Sequence, residues 1–327
     1  MPQLRQNFIT GDWVVIAPER AKRPNEYVTP DTVKKQPKAK CPFCPGKPAY
    51  QTRIKEYDTP HTYLIRNKYP AYVESKKEIS PRAFKVENRF YRVREAIGGH
   101  DVQIIKDHDL DLPKFPKEVW MELFEAAIRR FNFFRKEKGN EYTMWIYNHG
   151  PEAGASIEHP HAQIFSSPII PNVISKELEH TQNYYEENGR CAFCDMLAHE
   201  KQEKVRIVAE NSHFLAFTFF AARFPFEVWL LPKEHQTIFE HITRPDLEAL
   251  AEIIREVLTT YDKALNDPPL NIYLHNIPHT IGETHYYHWH LEFAPRLTGY
   301  GGYELGSGVI IDVYSPEEAA KFLRGKK

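Results

Sequence analysis

Asn148-His-Gly-Pro-Glu-Ala-Gly-Ala-Ser-Ile-Glu-His-Pro-His-Ala-Gln163 is the richest stretch of the chain in residues that can do chemistry. It follows a strand-like run, Tyr142-Thr-Met-Trp-Ile-Tyr147, and its end enters a second strand. Side chains of an extended chain alternate with period two, so the imidazoles of His159 and His161 point to one face. If His159 binds a metal, His161 stands beside it and remains free. A neutral imidazole is a competent nucleophile near pH 7, because its reference pKa of about 6.5 leaves it mostly unprotonated. Gly150 and Gly154 allow backbone to approach a ligand closely, and Gly154, Ala155 and Ser156 suit hydrogen bonds to phosphate oxygens.

Working outward, the ligand-type residues recur in one order. The first half supplies Cys41-Pro-Phe-Cys44, His108 in Lys106-Asp-His, and His159 in His-Pro-His. The second supplies Cys191-Ala-Phe-Cys194, His235 in Lys233-Glu-His, and His288 in His-Trp-His. The two marked histidines stand 51 residues apart in the first half and 53 in the second, with an amphipathic helix between them each time. Agreement in residue type, order, spacing and intervening pattern reads as an internal duplication.

The coarse pattern places strands at Asp12–Ala17, Thr62–Ile65, Phe90–Val93, Val102–Ile105 and Tyr142–Tyr147, with a helix from Lys117 to Lys136. The second half repeats this with strands near Val205–Val208, Phe214–Phe217 and Val228–Leu231. A helix from Pro245 to Leu265 follows, then strands near Asn271–Leu274, Trp289–Phe293 and Val309–Val313, and a short helix from Pro316. The expected fold class is α+β: two duplicated halves, 1–185 and 186–327, each an antiparallel sheet with one principal helix.

Composition narrows the function classes. Lys and Arg total 43 against 44 Asp and Glu, so no basic excess points to nucleic acid or an anionic membrane. No apolar run approaches the ~18 residues of a membrane span, and the N-terminus lacks a signal-peptide layout. The expectation is a soluble cytoplasmic protein.

Two thiolates and two imidazoles per half make a closed tetrahedral zinc set of the structural kind. Cys41, Cys44, His108 and His159 form one set; Cys191, Cys194, His235 and His288 form the other. That implies two structural zinc ions per chain. A labile disulfide and a redox Cys-x-x-Cys are the alternatives, although neither explains the matched downstream histidines. His61, His180, His199, His213 and His241 are expected to be surface or packing residues. At the place equivalent to His159–Gln163 stands His288-Trp289-His290-Leu-Glu292. Bulky Trp289 and acidic Glu292 suit a phosphate pocket poorly, so the first half is expected to carry the chemistry and the second to serve mainly as scaffold.

His159-Pro-His161-Ala-Gln163 resembles the transferase form of the histidine-triad motif, and the chain is similar over nearly its whole length to the galactose-1-phosphate uridylyltransferase family. The resemblance implies His161 as nucleophile, with Gln163 and Ser156 beside it, and Asn148 and Gly154 in the phosphate-facing loop. It further implies phosphate and sugar contacts from Arg20 and Arg23 in Trp13–Pro24, and nucleoside contacts led by Asn67 in Arg66-Asn-Lys-Tyr-Pro70. Tyr303 and Glu304 resemble a hexose-binding segment that reaches the partner subunit's site, which implies a homodimer. Two departures stand out. A second Cys-x-x-Cys site replaces the iron ligands of typical bacterial members, and Ile310 falls near the place of a hexose-binding Gln. Both look like the plant-type ADP-glucose phosphorylase branch.

The resemblance implies a two-step exchange between a UDP-sugar and a hexose 1-phosphate, here UDP-glucose and galactose 1-phosphate, through a nucleotidyl-His161. The alternatives are an ADP-glucose phosphorylase-like transfer to phosphate, hydrolysis, and a non-enzymatic zinc-stabilised nucleotide-binding protein.

Overall fold

The computed structural model describes residues 1–22, 37–74, 85–86 and 90–325. Its centre is one antiparallel sheet of nine strands. The first half contributes β3 (Thr62–Arg66), β6 (Gly99–Ile105), β7 (Tyr142–His149) and β8 (His161–Ser167). The second contributes β9 (Ile207–Glu210), β10 (Phe214–Thr218), β11 (Val228–Pro232), β12 (Leu270–His275) and β13 (His290–Pro295). The spatial order is β3-β6-β8-β7-β12-β13-β11-β10-β9. The outer strand β9 apart, each half repeats the same four-strand order in mirror sequence about the β7–β12 pair. The duplication is therefore real, but its two sheets are fused into one. Asn148 lies opposite Asn271, and Tyr147 opposite Ile272, across that seam.

β1 (Gln3–Gln6), β2 (Trp13–Ile16) and β14 (Ile310–Asp312) form a separate three-stranded sheet, in which β2 and β14 run parallel. β4 (Lys85–Val86) and β5 (Arg92–Val93) make a small hairpin, so only the end of the expected Phe90–Val93 strand is extended and paired. Short helices α1 (Pro48–Gln51), α6 (Gly302–Ser307) and α7 (Pro316–Leu323) decorate the sheets.

The two principal helices are α2 (Lys117–Lys136) and α5 (Arg244–Leu265). Val119, Leu123, Phe124, Phe131 and Phe134 recur at helical spacing on the buried side of α2. In α5 the Thr243 hydroxyl accepts from the Asp246 N–H at 3.3 Å, Pro245 occupies the first turn, and Asn266 ends the helix with φ 58°. Both helices lie on one sheet face and share a core with Trp145, Ile164, Leu230, Trp289 and Leu291.

Two further helices, α3 (Asn172–Asn188) and α4 (Ala192–Glu203), carry no strong apolar stripe and give no helical signal in the sequence. They cover the opposite face over the second half and the start of β7, where Tyr142 joins the same cluster. There Ile174, Leu178, Phe193 and Leu197 pack with Leu215, Phe217, Trp229 and Leu231. Over the first half that face carries the smaller cluster Cys41, Phe43, Tyr63, Ile65, Val102 and Ile104. The second half thus has helices on both sides, while that face of the first half holds this smaller cluster beside His161 and Gln163.

A buried polar chain fixes α2 on the sheet. Trp145 Nε1 donates to Gln103 Oε1 at 2.7 Å, and Gln103 Nε2 donates to the Leu123 carbonyl at 2.8 Å. Trp145→Phe strands a buried acceptor, which costs about 1–3 kcal/mol. Denaturant unfolding of this variant is expected to show that loss, and Gln103→Leu in the same background should recover part of it.

Candidate functional site

The loop Cys41–Cys44 is held against β3 by a hydrogen bond from the Tyr63 hydroxyl to the Phe43 carbonyl. Cys41 Sγ lies 3.4 Å from His159 Nδ1, and Cys44 Sγ lies 3.3 Å from His108 Nδ1. The two Nδ1 atoms are 3.0 Å apart. His159 Nε2 donates to the Ile105 carbonyl at 2.6 Å, so Nδ1 is left as an unprotonated donor atom facing the thiols.

The second set repeats this construction. Cys194 Sγ is 3.4 Å from His235 Nδ1, whose ring donates through Nε2 to the Thr284 carbonyl at 2.9 Å. His288 Nε2 donates to the Glu234 carbonyl at 2.9 Å, and its buried Nδ1 has no hydrogen-bond partner. In each set the four ligand atoms lie within 4.8 Å of one another.

Electrostatics point the same way. Burial lowers the His159 pKa to about 4 and that of His288 to about 3, keeping both rings neutral. Burial, then the neighbouring Cys41, pushes the Cys44 thiol up to about 11. Paired thiolates there require a cation, and an orphaned imidazole nitrogen aimed at two thiols is a ligand in waiting. Both sets can hold a metal ion of the thiolate-imidazole class.

His161 opens β8. Its Nδ1 donates to the His159 carbonyl at 2.8 Å, which places the imidazole lone pair on Nε2. Burial lowers its pKa, and the Phe43 ring packs edge-on against it at 5.4 Å. Gln163 follows two residues later on the same face, its Oε1 2.8 Å from His100 Nε2. Gly154, with φ 83°, ends a short turn ahead of Ser156. Asn148 Oδ1 accepts from Asn271 Nδ2 at 2.8 Å, and the same amide donates to the Ala153 carbonyl, so the second half braces the loop of the first. Asn67 approaches from the end of β3, its Nδ2 3.0 Å from His100 Nε2.

Not every expected residue joins this group. Arg20 is exposed on the turn Pro18–Lys22, with no hydrogen bond or ion pair to the motif among the described residues. Arg23 lies outside the described residues. Tyr303 and Glu304 sit on α6, where Glu304 caps the helix through the Gly301 N–H and Tyr303 is exposed. His61, His213 and His241 are surface partners of Glu122, Asp246 and Glu283.

The equivalent position in the second half is filled differently from the sequence expectation. Strand alternation sends Trp289 to the opposite face, into the core beneath α5, so it does not occupy the pocket position. Glu177 from α3 does: it pairs with His275 at 2.8 Å and accepts from the Tyr287 hydroxyl at 2.9 Å. Glu292 pairs with Arg223, and His275 and His290 each lie 3.4 Å from it. Burial opposes the charged form of Glu292, but Arg223 and His275 outweigh it and hold the carboxyl well below its ordinary range. His275, Glu177 and His100 carried no motif of their own; only strand register and α3 bring them together with the rest.

Comparison with known proteins identifies the family. Residues 1–171 match the N-terminal domain of galactose-1-phosphate uridyl transferase, and residues 177–298 match its C-terminal domain. The chain belongs to the galactose-1-phosphate uridylyltransferase family. It is 33% identical to an ADP-glucose phosphorylase of Arabidopsis thaliana, over 99% of this chain and 92% of that one. It is 31% identical to a galactose-1-phosphate uridylyltransferase of Thermotoga maritima, over 99% and 98%. The crystal structure of an Arabidopsis thaliana ADP-glucose phosphorylase with bound ADP-glucose superposes with a TM-score of 0.83 at 31% identity, covering all of both chains. As a member of this family the chain is a nucleotidyltransferase.

The buried ion pairs of Arg223 in the second half predict an effect on stability. Arg223→Met leaves Glu292 and Glu227 without their cation, and breaking a buried pair from one side costs on the order of 3 kcal/mol. Thermal unfolding should show this loss, while His161 chemistry measured below the new midpoint stays near wild type.

Proposed function

We propose that this nucleotidyltransferase transfers a nucleotidyl group from a UDP-sugar to a hexose 1-phosphate in two displacements through His161. The observation that carries the reading is the hydrogen bond from His161 Nδ1 to the His159 carbonyl, which leaves Nε2 as the nucleophilic atom. Nε2 attacks the α-phosphorus; a P–N bond forms, and the bond from that phosphorus to the bridging oxygen breaks. Sugar 1-phosphate departs with the electron pair. A second sugar 1-phosphate then attacks the same phosphorus and the P–N bond breaks, which regenerates neutral His161. The His159 carbonyl steadies positive charge that develops on the ring in the first step.

The leaving group is already a stable phosphate anion and needs no proton. An amide at position 163 fits that chemistry, since it donates hydrogen bonds to phosphoryl oxygens without delivering a proton. Ser156, Asn148 and the backbone around Gly154 serve the same oxygens, and Asn67 serves the nucleoside. Arg20, Arg23, Tyr303 and Glu304 complete sugar and phosphate binding, the last two from the partner in a homodimer. Exposed Tyr303 and Leu305 on α6 support that placement. Residues 1–185 then form the catalytic half and residues 186–327 the scaffold and sugar-contacting half. The product of the exchange with galactose 1-phosphate is UDP-galactose.

Zinc is the ion we assign to both Cys₂His₂ sets, two per chain, where it supplies structure and no redox or Lewis-acid step. The reduced thiol pairs fit a cytoplasmic setting. No helix among the described residues is long and apolar enough to cross a membrane. A second reading, transfer of an adenylyl group to inorganic phosphate, is favoured by the ADP-glucose phosphorylase likeness over the whole chain.

Incubation with radiolabelled UDP-glucose or ADP-glucose should give a protein-bound nucleotidyl group that His161→Ala abolishes; label retained in that variant overturns the role of His161. Product analysis with galactose 1-phosphate or phosphate as acceptor chooses between the two readings. Elemental analysis is expected to find about two zinc per chain, and Cys44→Ser and Cys194→Ser should each lose about one. Undiminished metal in both variants would refute the paired sites.

A further inference from the structure

His100 is placed by β6 on the same sheet face as His161 and Gln163. Directly opposite across the β6–β8 ladder are the pairs His100–Phe165, Val102–Gln163 and Ile104–His161. His100 is 9% exposed, and its ring lies over Phe165 with centroids 3.9 Å apart. Three polar neighbours surround its two nitrogens. The Ala71 backbone N–H donates to Nδ1 at 3.2 Å. Gln163 Oε1 and Asn67 Nδ2 lie 2.8 and 3.0 Å from Nε2.

These neighbours are not interchangeable. A backbone N–H can only donate, so Nδ1 of His100 is an acceptor and carries no proton. A neutral imidazole then carries its hydrogen on Nε2. Of the two groups near Nε2, only an oxygen can receive that hydrogen. Asn67 cannot turn its own oxygen inward, because Asn67 Oδ1 already accepts from the Tyr69 N–H at 2.9 Å. The hydrogen of Nε2 therefore goes to Gln163 Oε1. An amide is planar and its two ends point apart, so holding the oxygen at His100 turns the NH₂ end away from it.

We propose that His100 is a positioning residue that fixes the Gln163 amide with its NH₂ group toward the reacting phosphoryl group. The chain of control runs from the Ala71 N–H, through the His100 tautomer, to the orientation of one amide. Without it, Gln163 could flip and present an oxygen to an anionic phosphate, replacing attraction by repulsion. With Nε2 protonated, the 3.0 Å approach of Asn67 Nδ2 is a donor–donor contact and not a hydrogen bond, so the Asn67 amide hydrogens must find other acceptors. The inference rests on the nucleotidyl-His161 reading, but the tautomer itself does not.

Two measurements test it. In protein labelled with ¹⁵N-histidine, the His100 resonances, assigned by their loss in His100→Gln, should report the Nε2–H tautomer; the Nδ1–H form overturns the proposal. The second is the single-turnover rate of His161 nucleotidylation in variants whose folding is checked by circular dichroism. Gln163→Ala should slow the step about 100-fold, as expected for loss of one preorganised donor. His100→Phe keeps the ring over Phe165 but donates nothing, and should slow it about 10-fold or more with little change in substrate KM. His100→Gln, whose amide nitrogen stands near the place of Nε2, should recover most of that loss. His100→Phe combined with Gln163→Ala should be no slower than Gln163→Ala alone, because His100 acts only through Gln163. Wild-type rates in His100→Phe, multiplicative losses in the double variant, or no recovery in His100→Gln each overturn the role. A wild-type protein that forms no nucleotidyl intermediate would refute the two-step reading separately, leaving the tautomer measurement to decide the orientation of Gln163.

Discussion

His159 is the residue on which the rest of the site depends, since it is engaged at three points at once. Its Nδ1 faces two thiols and a second imidazole, its Nε2 donates to Ile105 on the neighbouring strand, and its carbonyl accepts from His161. A metal ion held by this set fixes more than a loop. It sets the ring of His159, the ring sets the start of β8, and the carbonyl selects which nitrogen of His161 has the lone pair. The candidate metal ligand His159 and the proposed nucleophile His161 are two residues apart, so order imposed on one reaches the other with almost no slack. Outer partners of metal ligands commonly act in this way, orienting what the ligands alone cannot.

The duplication then poses a physical question: why do two similar halves not make two similar sites? Ligand set, strand order and principal helix recur, and His290 stands where His161 stands. The difference comes from what covers the sheet. α3 and α4 close the second half, and Glu177 from α3 enters the space beside His275 and His290. Glu292 replaces Gln163 and draws Arg223 into a buried ion pair. Buried charges must be paired, and pairing them consumes the groups that could have met a substrate. The first half keeps uncharged polar groups on the same face, where amides and a neutral imidazole need no counter-ion.

Much of this was legible in the sequence. The two Cys-x-x-Cys pairs, the 51- and 53-residue spacings and the two long helices announced the duplication, because metal ligands and amphipathic periodicity are written in residue type and spacing. α2 falls at Lys117–Lys136 as its pattern indicates, and α5 starts within one residue of its expected beginning. What stayed hidden depends on register and on polar packing. α3 and α4 have apolar residues that do not line up as a strong stripe, so their packing against the sheet is not written in their periodicity. Trp289 was read by its size, although a shift of one position along a strand moves a side chain to the other face. His100 carries no local motif at all; its meaning arises only when β6 is laid against β8.

The seam between halves shows how the second half braces the loop of the first. Asn271 belongs to the second half, yet its amide nitrogen donates to both Asn148 and the Ala153 carbonyl. Asn148 Oδ1 is occupied by that bond, which orients the Asn148 NH₂ group away from the seam by the same planar-amide logic that governs Gln163. Asn148 and Gln163, the two amides of the proposed phosphate site, are therefore set by neighbours on opposite sides, one by an amide of the other half and one by an imidazole of its own. A site that binds an anion through neutral groups needs every dipole turned the right way, since it has no net charge to forgive an error. Fusing the two sheets edge to edge supplies the second of those constraints, which neither half could provide alone.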